Sequence, residues 1–166
     1  MNACVHDTFF VPVWKDETPI PEHWGQDASG GEEAKARILR HVTTGLDIII
    51  KTVDLSTFKS VKAFAQDINE SIPALHVVQL CAGIMSPSFA TGAEGYENSF
   101  QVNVLSTALM VILLLEKVRQ TATAGANDGY IQHVTFLNSS ATQDVLGEWI
   151  PEDQTLVQRI NDPTGF

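Results

Sequence analysis

The chain has 166 residues, of which 44% are hydrophobic and 18% are charged, a balance that excludes disordered and fibrous classes. Its formal net charge of −10 argues against a nucleic-acid-binding surface. The acidic excess lies in 1–33 and 144–166, and we interpret these ends as solvated flanks around a neutral middle.

The first third of the chain changes character after residue 29. Three prolines interrupt 1–29, which predicts an irregular segment with one short strand at Thr8–Val13. Apolar residues at helical spacing then predict a helix over Glu32–Val42, and β-branched residues predict a strand over Leu46–Val53. We therefore divide the chain into the irregular segment 1–29 and a folded domain, 30–166.

Alternating helices and strands continue along the rest of the chain. Ser56 is the expected N-cap of a helix over Thr57–Ile72, and an apolar strand is expected at Leu75–Cys81. A long helix over Glu94–Gln120 is apolar on most of its surface, which predicts burial against a sheet. The last predicted strand is Tyr130–Leu137.

This order predicts an α/β fold in which helices flank a parallel sheet. Right-handed crossovers would bring the carboxyl ends of the strands to one edge, where open α/β sheets bind ligands. Three strand ends carry polar residues or glycine: Asp54, Cys81–Gly83 and Asn138–Ser140. The pattern therefore predicts a binding crevice at that edge.

The sequence indicates neither a metal site nor a membrane segment. Two cysteines cannot form a disulfide framework, and five scattered histidines lack the spacing of metal ligands. The longest apolar run, Ala108–Leu115, is shorter than the ~20 residues of a membrane span. We therefore predict a soluble, cytoplasmic protein without a metal, nucleic-acid or membrane partner.

Four short motifs, each at a predicted element boundary, resemble those of the short-chain dehydrogenase/reductase family. The resemblance runs from about Gly30 to Phe166 and is strongest with fungal members. It implies a partial Rossmann-like sheet flanked by helices and an NAD or NADP cofactor. In chain order the motifs are Asp54-Leu55-Ser56, Leu80-Cys81-Ala82-Gly83-Ile84, Gln101-Val102-Asn103-Val104 and Asn138-Ser139-Ser140-Ala141.

The resemblance implies a cofactor-binding set of five residues. An aspartate at position 54 would contact the adenine ring, although a turn before a helix also favours aspartate. The small residues that follow the second strand would let the backbone approach the cofactor ribose. Cys81 stands where the family usually has asparagine, and a buried apolar role is the simpler interpretation. The set is Asp54, Leu55, Cys81, Ala82 and Gly83.

Two further residues are implied in catalysis. Asn103 would hold a water of the proton relay, although it is otherwise an ordinary asparagine at a polar seam of a helix. Ser140 would hydrogen-bond the substrate carbonyl, although a serine pair after a strand is most often a turn or cap.

Two family motifs are missing from the 166 residues. No glycines have the T-G-x-x-x-G-x-G spacing that receives the cofactor pyrophosphate, and neither Tyr96 nor Tyr130 is followed by lysine four residues later. The chain is therefore expected to be cut at both ends. Two hypotheses remain. The chain derives from an NAD(P)-dependent oxidoreductase that acts on a carbonyl or alcohol substrate, or it is a non-catalytic truncated remnant or interaction domain. The sequence is compatible with a homo-oligomer.

Overall fold

A computed structural model describes residues 8–13, 28–41, 47–86, 88–124, 131–139 and 152–165. The chain divides into two compact units, Met1–Asp54 and Leu55–Phe166. The fold is a partial Rossmann-like α/β fold, as predicted, in which helices flank short parallel strands.

The described residues of the first unit form two strands and a helix. Strand β1 (Thr8–Val13) confirms the strand predicted in the irregular segment, and it pairs in parallel with β2 (Asp47–Thr52). Between them lies helix α1 (Ala28–Leu39), which begins four residues before the predicted start. The first compact unit extends to Asp54. The division of the chain at residue 30, which rests on the resemblance to the family, stays a prediction.

The second unit contains a parallel strand pair and two packed helices. Helix α2 (Phe58–Ser71) precedes β3 (Val77–Leu80), and the long helix α3 (Asn98–Ala124) leads to β4 (His133–Phe136). β3 pairs with β4 from Val77 opposite His133 to Leu80 opposite Phe136. A short helix, α4 (Leu156–Ile160), was not anticipated, because no apolar period marks it in the sequence.

The core of the second unit lies mainly between α2 and α3. Asn69 joins these helices, since its Nδ2 donates to the Leu113 carbonyl at 3.2 Å and Lys117 Nζ donates to its carbonyl at 3.2 Å. The buried apolar side chains of this unit are Leu55, Val61, Ala65, Ile68, Ile72, Leu75, Val78, Phe100, Val102, Met110, Leu114 and Val118.

The prediction that Ser56 caps α2 is wrong. The N-cap is Thr57, whose backbone is extended and whose Oγ1 accepts the Ser60 N–H at 3.3 Å. Both residues are good caps in isolation, so the choice depends on where the backbone turns into the helix.

Helix α3 differs from its prediction in two respects. It begins at Asn98 rather than Glu94, and its section Gln101–Ser106 is π-helical. The helix is also less buried than predicted, because Val104, Ile112 and Leu115 are exposed.

By length and composition, α3 could cross a membrane, although such a helix is also found in the cores of soluble proteins. The cytoplasmic location and the lack of a membrane partner therefore stay predictions.

Candidate functional site

The carboxyl ends of β3 and β4 lie at one edge of their sheet. The parallel register continues past the strands, since the Leu137 N–H donates to the Leu80 carbonyl at 2.9 Å. Cys81 follows β3, and Asn138 lies two residues after β4. These two predicted strand ends therefore meet, while Asp54 belongs to the other compact unit and its place at this edge stays a prediction.

The loop after β3 presents its predicted binding residues to solvent. Cys81, Ala82 and Gly83 are all exposed, so the interpretation of Cys81 as a buried apolar residue is wrong. Strand β3 ends at Leu80, one residue before the predicted end at Cys81. Cys81 therefore lies in the exposed loop.

The Asn103 side chain holds this loop from the π-helical section of α3. Its Oδ1 accepts the Ile84 N–H at 2.8 Å, and its Nδ2 donates to the Ile84 carbonyl at 2.8 Å. The amide thus pairs with Ile84 as a neighbouring strand would, with both of its polar atoms engaged. Asn103 therefore positions the loop through its side chain, a role that its position in the sequence did not reveal.

Gly83 fits against this asparagine because it lacks a side chain. A Cβ atom at this position would lie 3.1 Å from Asn103 Oδ1 and 3.6 Å from its Cγ. Such a contact is tighter than most real Cβ contacts, so a larger residue would require the Asn103 amide to shift by a few tenths of an ångström. A glycine is needed here for close approach rather than for an unusual backbone angle, since among the described residues only Gly95 has a positive φ.

Leu55 contributes to the core beneath the site. Its side chain is buried, and its carbonyl accepts the hydroxyl of Ser106 at 2.6 Å. Ser106 in turn accepts a hydrogen bond from Gln101 Nε2 at 2.9 Å. This buried polar chain joins the start of the second unit to the π-helical section of α3.

The remaining predicted residues are a serine pair and two tyrosines. Ser139 is exposed, and its N–H donates to Asn138 Oδ1 at 2.8 Å. Ser140 and Tyr130 lie outside the described residues. Tyr96 packs edge-on against Phe58 and Phe100, with ring centroids 6.4 and 6.3 Å away, so its ring belongs to an aromatic cluster.

No cluster of three or more histidine, cysteine, aspartate or glutamate side chains suited to a metal occurs in the described part of the chain. Two residues that shape the site were missed from sequence. Glu97 caps α3, and Asn161 of the last described segment contacts it. An acidic residue before a helix is a readable signal for the first, whereas nothing local marks the second.

Comparison with known proteins gives the kinship of the chain. It is 34% identical to the short-chain dehydrogenase/reductase phmF of Phaeosphaeria nodorum over 137 residues, which are 82% of this chain and 40% of that protein. The chain is homologous to the fungal short-chain dehydrogenase/reductases. The family member ffsI of Aspergillus flavipes is 33% identical over 137 residues, again 82% of this chain and 39% of the relative. No family model matches the chain.

A solved structure supports the fold. The NADH-dependent reductase A1-R′, crystallised with NAD, superposes with a TM-score of 0.55 over 87% of this chain and 54% of that one, at 15% identity. This likeness concerns the fold alone. The chain spans about 40% of the length of the curated relatives that it matches.

Proposed function

We propose that the edge after β3 and β4 is the nicotinamide side of an NAD(P)-binding crevice, in a short-chain dehydrogenase/reductase that acts on a carbonyl or alcohol carbon. The observation that carries the proposal is the loop Cys81–Ile84. The loop follows a strand end, and its Ile84 backbone is hydrogen-bonded by the Asn103 side chain. Gly83 has no side chain, which allows the loop backbone to lie close to Asn103. The kinship with fungal family members supports it.

The residues present fit part of a dinucleotide. Ala82 and Gly83 are exposed, and their small size suits close approach of a ribose. Leu55 is buried in the core, and the adenine contact of Asp54 stays a prediction from the resemblance. Bound nicotinamide would supply the carbon that gives or takes the hydride. The 166 residues contain no glycine-rich loop for the pyrophosphate, whose binding elsewhere uses backbone N–H groups and a helix dipole.

Ser140 is the residue that we propose to hydrogen-bond the substrate carbonyl. Its neighbour Ser139 lies at the same edge as Gly83, which supports that role. In this proposal Asn103 positions the loop through its side chain, and its amide keeps one lone pair and one hydrogen for a relay water.

We expect weak cofactor binding by these 166 residues. Calorimetry with NAD and NADP should give a dissociation constant above ~1 μM, an energy weaker than roughly −8 kcal/mol. NMR titration should shift the amides of Gly83 and Ser139, while the amide of Ala65 in the buried face of α2 serves as the unshifted control. Tighter binding would contradict the weak site, and shifts confined to other residues would contradict its position.

We also expect no turnover from these 166 residues. General acid catalysis contributes typically ~10²–10⁴-fold, and no tyrosine here is followed by the lysine that the motif requires. Cofactor oxidation that Ser140→Ala abolishes would contradict this expectation. The same missing residues favour the second candidate, a non-catalytic interaction domain, and the exposed apolar side chains of α3 provide it with a surface.

A further inference from the structure

The loop after β3 is attached along its length to the start of α3. Ile84 pairs with Asn103, the Ser86 N–H donates to Ser99 Oγ at 3.2 Å, and the Asn98 N–H donates to the Ala90 carbonyl at 2.9 Å. The position of the predicted cofactor loop therefore depends on how the first turns of α3 are held.

Glu97 organises that helix start. It is 2% exposed, and its carboxylate accepts the N–H groups of Ser99 at 2.9 Å and Phe100 at 2.8 Å. Its carbonyl accepts the Gln101 N–H at 2.8 Å. The acceptor atoms of Glu97 thus bind the first turn of the helix that carries Asn103.

The backbone N–H of Glu97 needs a partner from elsewhere. Glu97 lies opposite Thr91 in an isolated antiparallel bridge, flanked by hydrogen bonds from Gly92 N–H to the Tyr96 carbonyl and from Asn98 N–H to the Ala90 carbonyl. In such a non-hydrogen-bonded pair the N–H points away from the opposite strand. The acceptor it meets there is Asn161 Oδ1, at 2.8 Å and 64 residues further along the chain.

The segment that presents Asn161 has its own local structure. A capping box between Thr155 and Gln158 starts α4, and the Asn161 N–H donates to the Val157 carbonyl at 3.1 Å. The next residue, Asp162, accepts the N–H and the hydroxyl of Thr164 at 2.9 and 2.7 Å. Asn161 is therefore held from both sides.

We propose that Asn161 is a positioning residue for the cofactor loop. It satisfies the Glu97 N–H, which steadies the first turn of α3 and, through Asn103, the backbone of Ile84. The inference rests on the proposed function, because the loop it positions is the proposed cofactor site. An unpaired buried N–H is unfavourable, so loss of this contact should loosen the turn.

The test is hydrogen exchange of single amides, measured by NMR without cofactor. Asn161→Ala should raise the exchange rate of Glu97 about tenfold and that of Ile84 by a smaller factor, about two- to fourfold, and leave Ala65 of α2 unchanged. Thr123→Val is the matched control, since it removes an exposed hydrogen bond to the Arg119 carbonyl at the far end of α3 without touching Glu97 or Asn161, and it should change neither rate.

Three results would overturn the proposal. Faster exchange at Glu97 with an unchanged exchange rate at Ile84 would show that the Asn161 contact stabilises only the first turn of α3 and does not affect the loop. An equal rise at Ala65 would show general destabilisation, and no change at Glu97 would show that the contact is unimportant. Because no cofactor is present, this outcome is independent of the titration above: a failed titration with a positive exchange result would refute the proposed function and keep the positioning role.

Discussion

The pairing of Asn103 with Ile84 leads to a prediction that separates its two hydrogen bonds. Asn103→Ala removes both, each 2.8 Å long. A hydrogen bond contributes about 1 kcal/mol net, and Ile84 is only half-buried, so water replaces part of what is lost. We expect the Ile84 amide to exchange roughly five- to tenfold faster.

The effect of Asn103→Ala on the free energy of unfolding should be smaller than the sum of two hydrogen bonds. Alanine is the better helix former by about 0.5 kcal/mol, which offsets part of the loss. The expected net loss is about 1 kcal/mol, a fall in Tm of about 2–4 °C for a chain of this length. Local exchange is therefore the more sensitive assay.

Asn103→Asp provides the matched control for this prediction. Aspartate keeps the oxygen that accepts the Ile84 N–H and loses the nitrogen that donates to the Ile84 carbonyl. Its Ile84 amide should exchange more slowly than in the alanine variant but faster than in the unmodified chain, because one carboxylate oxygen accepts the N–H while the other repels the Ile84 carbonyl. Equal exchange rates at Ile84 in the alanine variant and the unmodified chain would refute the positioning role of Asn103.

Three further predictions follow from other contacts. Gly83→Ala should be less favourable in the unmodified chain than in the Asn103→Ala background, by about 0.5–1 kcal/mol, because only the former has the 3.1 Å contact, and a double-mutant cycle in denaturant measures this difference. Ser106→Ala should lower the free energy of unfolding by about 1–3 kcal/mol, because it leaves the Leu55 carbonyl and Gln101 Nε2 unpaired, and a shift below about 0.5 kcal/mol in chemical denaturation would contradict this. Hydrogen bonds from Arg119 and then Gln120 lower the pKa of exposed Glu116 from 4.5 to about 2. Its contribution to helix stability should be present above pH 4.5 and disappear as the pH falls towards 2, and an NMR carboxyl titration with a midpoint near 4.5 would contradict it.

Sequence patterns were sufficient for the alternating order of the main helices and strands and for the strand ends after β3 and β4. Apolar periods and β-branched runs located helix α2 and strands β3 and β4 to within a few residues, because they report the local backbone geometry. Parallel strands joined by a helix then brought Cys81 and Asn138 to one edge. The family-like motifs that contain Gly83 and Asn103 also predicted that these two residues belong to the candidate site.

What each polar group contacts was decided only by the tertiary structure. The folded chain pairs the side-chain amide of Asn103 with Ile84, 19 residues away, a contact that no sequence pattern indicates. The N-cap of α2, the π-helical section of α3 and the exposed apolar face of α3 likewise depend on how neighbouring segments pack.

The contact between Glu97 and Asn161 shows the physical reason. A buried N–H must find an acceptor, and local sequence states that need without naming the partner. The partner is whichever acceptor the fold brings within reach, and here it comes from a segment 64 residues away with no apolar period of its own. Sequence thus determined which groups needed partners at this edge of the protein, and the packing of distant segments determined which partners they received.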